Sequence, residues 1–133
     1  VAYIYDVRSA KYLGHAKTIS TPLQSGRARL FALLPYRVTA IEVAASPAKL
    51  GADARMKLKV ETSTKKAGRH VLRLRFFAGK KEREEYRQTV IAENGVAAIS
   101  QALALNDAPG LWTITAQDVA TGVTGKAALR VTK

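Results

Sequence analysis

Two histidines, ten carboxylates and twenty-two cationic side chains are the groups in this sequence able to do acid–base, metal or ion-pair chemistry. The histidines, His15 and His70, form no His-x-Glu or His-x-x-x-His pair, and there is no cysteine. That removes both the usual transition-metal spacings and a disulfide framework. His70 shares a strand phase with Leu72, which suits a strand-end histidine better than a ligand. A Ser-His-Asp triad assembles in three dimensions and leaves no fixed spacing, but no Gly-x-Ser-x-Gly elbow occurs and the serines fall in expected turns and strands. A Gly-rich phosphate loop is also missing, and no cofactor is expected.

The carboxylates suggest two possible chemistries. Glycosidic cleavage needs two of them facing across a cleft. The densest acids, Glu82, Glu84 and Glu85, instead alternate with Lys80, Lys81, Arg83 and Arg87, and read as a hairpin tip that pairs with itself. Asn106, Asp107 and Asp118 carry the oxygen ligands calcium prefers, if they converge at one end of the fold; otherwise they only shape turns.

The cations are more suggestive. Lys57 and Lys59 stand out of phase with Met56, Leu58 and Val60, and Arg73 and Arg75 out of phase with Leu72, Leu74 and Phe76. If these two strands are neighbours, the four charges form one outward patch, joined by Arg87. Like charges facing each other are destabilising, so an anionic ligand such as an acidic polysaccharide would relieve them. Glu61, Glu84 and Glu85 are the competing neutralisers. The chain as a whole carries a formal charge of +12, which attracts polyanions. No aromatic side chains interleave with these cations as base stacking would require, so no specific nucleic-acid partner is expected.

A regular set of elements must hold these residues. Apolar and polar residues alternate over 54–63, 69–78, 111–118 and 125–132, the period of a strand with one buried face. Turn residues punctuate the chain at Thr21-Pro22, Ser25-Gly26, Ser46-Pro47, Asn94-Gly95, Asn106 to Gly110 and Thr121-Gly122. The spacing predicts strands over 1–8, 12–20, 27–34, 37–45, 54–63, 69–78, 84–92, 96–105, 111–118 and 125–132. Two of these are contested. The charge density of 81–89 also suits a helical turn, and the alanines of 96–105 also suit a helix, although the turns flanking 96–105 favour a strand. Trp112 lies in phase with Ile114 and is expected in the core. Tyr3 and Tyr5 share a face, either as a small aromatic platform or as part of a half-buried sheet.

The segment 41–133 holds seven expected strands, the number of an antiparallel immunoglobulin-like β-sandwich. The segment 1–40 holds three more, either the end of a preceding β-domain or extra N-terminal strands on the same sandwich, with Pro35 near the boundary. Asp6 to Gly14 echoes Asp118 to Gly125, and shared turn chemistry explains the echo. No apolar run approaches the ~20 residues of a membrane span. A chain that opens at Val1 inside an expected strand, without methionine, is expected to be a piece of a longer protein.

Two stretches resemble known modules. Tyr5 to Gly14 (Y-D-V-R-S-A-K-Y-L-G), with Leu30 to Tyr36 (L-F-A-L-L-P-Y), is similar to the β-sandwich that closes the catalytic part of large bacterial glycoside-hydrolase-like proteins. Asn106 to Gly122 (N-D-A-P-G-L-W-T-I-T-A-Q-D-V-A-T-G) resembles the penultimate hairpin of immunoglobulin-like and macroglobulin-like domains. The resemblance implies an extracytoplasmic setting, neighbouring domains of a parent chain as partners, and a spacer or accessory role. It transfers no catalytic residue. The expectation is therefore a non-catalytic accessory sandwich module. The alternative is a module that binds acidic glycans through Lys57, Lys59, Arg73, Arg75 and Arg87.

Trp112→Ala is expected to lower unfolding stability by about 3–5 kcal/mol in chemical denaturation, the loss that follows emptying a large aromatic site. A variant that unfolds like the parent but loses sugar binding would instead make Trp112 a surface platform.

Overall fold

A computed structural model describes all residues from Val1 to Lys133. Strand covers 58% of the chain, more than twice its usual share, so the fold is all-β. In chain order the strands are β1 (Ala2–Asp6), β2 (Lys11–Ala16), β3 (Phe31–Leu34), β4 (Val38–Ala45), β5 (Ala48–Lys49), β6 (Asp53–Thr62), β7 (His70–Ala78), β8 (Lys81–Glu82), β9 (Gln88–Ala92), β10 (Val96–Ala102), β11 (Gly110–Asp118) and β12 (Thr124–Thr132). The one helical element is a 3-10 turn over Glu84–Tyr86.

The strands form three sheets. An N-terminal sheet has the order β2-β1-β3, a second β10-β6-β4, and a third β5-β12-β11-β7-β8, with β9 also paired to β7. Every pairing is antiparallel except the two-residue contact of β5 with β12. The second and third sheets face each other across one core. Ala54, Met56, Leu58 and Val60 from β6 join Leu72, Leu74 and Phe76 from β7, Trp112, Ile114 and Ala116 from β11, and Leu129 and Val131 from β12. Each of these residues belongs to the inward set of its alternation, and each large one removed from water contributes roughly 1.5–3 kcal/mol. Trp112 is buried as expected, and its indole N–H donates to the Ala108 carbonyl at 2.9 Å.

The two contested stretches resolve as follows. Residues 96–102 are strand, with Ile99 and Leu103 turned toward the core. The chain then turns, with the Asp107 N–H donating to the Ala104 carbonyl, so the strand stops short of the expected residue 105 and Leu105 is 80% exposed. The expected strand 84–92 is interrupted, because the 3-10 turn swings Tyr86 inward against Phe76 and Trp112 and pairing with β7 resumes only at Gln88. Among the N-terminal strands, β1 and β2 are shorter than expected, and 17–30 carries no strand; the Pro22 and Ser25-Gly26 punctuation falls inside it.

Three contacts seat the N-terminal sheet on the rest. The Val38 N–H donates to the buried Tyr5 hydroxyl at 3.1 Å, and burial pushes the Tyr5 phenol upward from its usual range. Arg37 lies over the Tyr12 ring, 4.6 Å from its centroid. The two echoing Asp turns touch: a methyl group added to Gly122, whose φ is +77°, would lie 2.3 Å from the Ala10 side chain.

The second and third sheets also meet edge to edge. At Gly125 the backbone of β12 passes so close to β4 that an added Cβ would lie 1.9 Å from the Ile41 carbonyl oxygen. The third sheet therefore curls toward the second there, and only glycine fits the approach. Gly125→Ala is expected to destabilise by about 2–3 kcal/mol or more, because the obstacle is backbone and cannot rotate away. Urea denaturation checks this, and an unchanged midpoint would mean that the two sheets are free to separate at this edge.

Candidate functional site

The five cations singled out by the sequence do not form one surface. Lys57 and Lys59 lie on β6, whose neighbours are β10 and β4. Arg73 and Arg75 lie on β7, whose neighbours are β11, β8 and β9. The inward faces of β6 and β7 meet in the core, so their outward faces point in opposite directions. The expected single patch rested on β6 and β7 pairing; consecutive strands that each alternate cleanly can equally sit in facing sheets, as they do here.

On the second sheet, Lys59 pairs with Glu61 at 3.0 Å and faces Glu42 in register; the bond to Glu61 raises its ammonium pKa. Lys57 stands between Ala44 and Ala98 with no carboxylate within 4 Å. On the third sheet, Arg73, Arg75 and Arg87 line an open groove of about 710 Å³ together with Phe77 and Thr115. Here Glu82, rather than the expected Glu84 and Glu85, is the main neutraliser. Its two carboxylate oxygens accept from Arg75 at 2.7 and 2.9 Å and from Arg87 at 2.7 Å each. Two guanidinium forks on one carboxylate hold the Glu82 pKa down at about 2, with Arg87 the larger cause and Arg75 the next. Glu84 reaches Arg87 only at 3.5 Å, and Glu85 pairs with Arg83 instead. Arg73 is exposed and has no carboxylate within 4 Å; across the sheet it faces Gln117 and Thr89.

A second constellation has an acid–base composition that spacing could not show. His70 opens β7, Asp118 ends β11, and Tyr36 follows Pro35 two residues before β4, all buried. His70 Nδ1 lies 3.0 Å from Asp118 Oδ1, and His70 Nε2 lies 2.8 Å from the Tyr36 hydroxyl. The Gly68 N–H also donates to that hydroxyl at 2.8 Å. Asp118 Oδ2 accepts from Thr121 at 2.6 Å. Each polar side-chain atom of the relay has a protein partner. The reading of His70 as a strand-end histidine holds, while its carboxylate and phenol partners are separated from it by dozens of residues.

The calcium arrangement does not form. Asp107 precedes β11 and Asp118 ends it, so about 30 Å of strand lies between them. Asp107 is taken up by Arg83, by the Tyr86 hydroxyl and by the Ala104 N–H. Burial first, and the Asp107 bond second, raise the Tyr86 phenol pKa. No group of three or more His, Cys, Asp or Glu side chains is placed to hold a metal ion. No helix is long and apolar enough to cross a membrane.

No family model matches this sequence, and no curated protein does. Among solved structures, the β-glucosidase from Listeria innocua is similar, both in its complex with isofagomine (TM-score 0.45, 10% identity) and in its complex with glucose (TM-score 0.45, 12% identity). In each case the alignment covers 74% of this chain and 16% of the glucosidase chain, so this chain spans a small part of that enzyme's length.

The Glu82 clamp predicts an acid dependence. Its pKa is about 2 in the folded protein, against 4.5 for the free side chain. The clamp's stabilisation is therefore complete above pH 4.5 and is lost as pH falls from there toward 2. In Glu82→Gln, denaturation midpoints measured across that window are expected to fall less steeply than in the parent. Parallel curves would show that the clamp contributes nothing to folding.

Proposed function

We propose that this chain is a non-catalytic accessory or spacer module, an immunoglobulin-like β-sandwich within a larger extracytoplasmic bacterial protein that is itself polysaccharide-active. The supporting observation is the fate of the Tyr36–His70–Asp118 relay. It is the set of side chains best suited to general acid–base work, yet His70 is 3% exposed and Asp118 0%. A general base needs a proton to abstract within hydrogen-bond reach. Here both ring nitrogens are committed to Asp118 and Tyr36, under the surface. The relay holds the link before β4, the start of β7 and the β11–β12 turn to one another. Two facing sheets, a core tryptophan and a curled edge at Gly125 suit a compact spacer between neighbouring domains.

A second reading is favoured by one observation, the lack of any carboxylate partner for Arg73 in a groove that also offers threonine and glutamine side chains. That combination suits a binding module for acidic glycans. It keeps the expected polysaccharide partner but moves the site onto the third sheet alone.

The spacer reading is tested by incubating the folded chain with polygalacturonate, alginate and neutral β-glucans and assaying for new reducing ends. No product is expected. His70→Ala is expected to lose about 2–4 kcal/mol of unfolding stability, because it leaves the Asp118 carboxylate buried without its donor. Product formation by the parent that His70→Ala abolishes, with the variant still folded, would sink the reading.

A further inference from the structure

The groove on the third sheet does not end at Arg73. Arg73 and Gln117 also line a neighbouring depression with Arg8 and Gly122. Arg8 in turn lines a third depression with Ser9, Gln24, Arg27 and Arg29. The three depressions therefore run on from one another, from the loop before β3, over the Asp6 turn, past the β11–β12 turn and onto the face of β7. The Ala10–Gly122 contact places the middle one where the N-terminal sheet meets the third sheet.

Six cations line this path, all of them arginine: Arg27, Arg29, Arg8, Arg73, Arg75 and Arg87. The acids along it are already engaged. Asp6 accepts from Arg29 at 3.1 Å and from the Arg8 and Ser9 N–H groups. Burial pushes the Asp6 carboxyl pKa up, and the Ser9, Arg29 and Arg8 contacts outweigh that and leave it below its usual range. Glu82 is held by Arg75 and Arg87, and Asp118 is buried. Arg27, Arg8 and Arg73 are exposed with no carboxylate within 4 Å, one in each successive stretch of the path. Guanidinium groups grip carboxylates and sulfates through two parallel bonds. Between them lie neutral hydrogen-bonding side chains, Ser9 and Gln24 at one end, Gln117 at the middle and Thr115 at the other. Phe77 is the one aromatic side chain on the path.

We propose that this path is a binding track for a linear acidic polysaccharide, whose anionic groups meet Arg27, Arg8 and Arg73 in turn while its hydroxyls meet the neutral side chains between. The inference rests on the acidic-glycan reading given above and extends the site onto the N-terminal sheet. Isolated arginines separated by hydroxyl and amide groups fit a chain in which charge alternates with hydroxyl. A single-stranded nucleic acid would need stacking partners for successive bases, and one phenyl ring does not supply them. The second sheet offers a contrast, since its Arg55 and Lys57 are also exposed and free of carboxylates but line a depression made mainly of apolar side chains, Ala44, Ala45, Met56, Ala98 and Ile99.

Isothermal titration of the full chain at low salt with polygalacturonate and with heparin tests the track, and a single-stranded oligonucleotide of matched length serves as a third titrant. Two double variants of equal net charge are compared, Arg8→Glu with Arg73→Glu on the track, and Arg55→Glu with Lys57→Glu on the opposite face. Thermal melts confirm that each is folded, and if either is not, both pairs are replaced by their glutamine counterparts, Arg8→Gln with Arg73→Gln and Arg55→Gln with Lys57→Gln, so that net charge stays matched. The parent is expected to bind at least one of the two glycans, and the track variant about tenfold or more weaker, with the opposite-face variant within about twofold of the parent. The uronate and sulfate arms then identify the anion. Equal losses in both variants would mean that charge acts diffusely and would overturn the track, leaving the acidic-glycan reading in place. No binding of either glycan by the parent would overturn both. Tighter binding of the oligonucleotide than of either glycan would overturn the choice of polysaccharide.

Discussion

The buried line of hydrogen bonds from Gly68 through Tyr36 and His70 to Asp118 and Thr121 is the constraint on which the arrangement of this molecule depends. A polar group enclosed in low dielectric is tolerated only when its partners are all present, so the relay behaves as a unit. It ties together the segment that leads out of the N-terminal sheet, the first residue of β7 and the turn joining β11 to β12. Moving any one of these would leave a buried carboxylate or imidazole without its partner. The apolar core, whose aliphatic contacts are non-directional, does not select among nearby registers so strictly.

Two backbone approaches complete what the relay begins. Gly125 lets β12 come up against β4, which bends the third sheet toward the second. Gly122 admits Ala10, so the turn of the N-terminal sheet rests on the turn that the relay anchors. Both glycines belong to the stretch between β11 and the body of β12. A seven-residue stretch from Asp118 to Thr124, with Gly125 beside it, therefore governs how all three sheets sit together. Electrostatics then follow the geometry: arginines of the turn after β1 and of the loop before β3 share one side with those of β7, while the lysines of β6 are turned to the other.

Much of the fold was legible in the sequence because alternation is a local property. Met56, Leu58 and Val60, Leu72, Leu74 and Phe76, and Trp112 and Ile114 were placed inward by phase alone, and they are inward. Pairing is not local, which is why Lys57 and Lys59 were grouped with Arg73 and Arg75. Phase says which side of a strand faces solvent, but not which sheet the strand joins. The same gap hid the relay, whose members come from two strand ends and the link before β4, and hid Arg8, Arg27 and Arg29, which lie where the chain has little regular structure. The basic excess over 1–40, six cations against one acid, was the available signal for the latter. Asp107 and Asp118 share the residue type that shapes turns, yet a single strand holds them at opposite ends.

The interrupted stretch after β7 bears on how copies of this chain behave when crowded. A sheet edge with unpaired N–H and C=O groups is a template for another strand, and long flat edges invite chains to stack. At one margin of the third sheet stands β5, only two residues long. At the other, β8 is also two residues long, and the 3-10 turn with its crossed Glu82 and arginine side chains separates it from β9. Each short strand blunts only part of its margin, since β5 covers just Val131 and Thr132 of β12 and β9 extends the other side by five residues. Around β8 the largest sheet of the molecule is thereby a poor template for an incoming strand, and that local protection comes from the same Glu82, Arg75 and Arg87 side chains that shape the arginine groove.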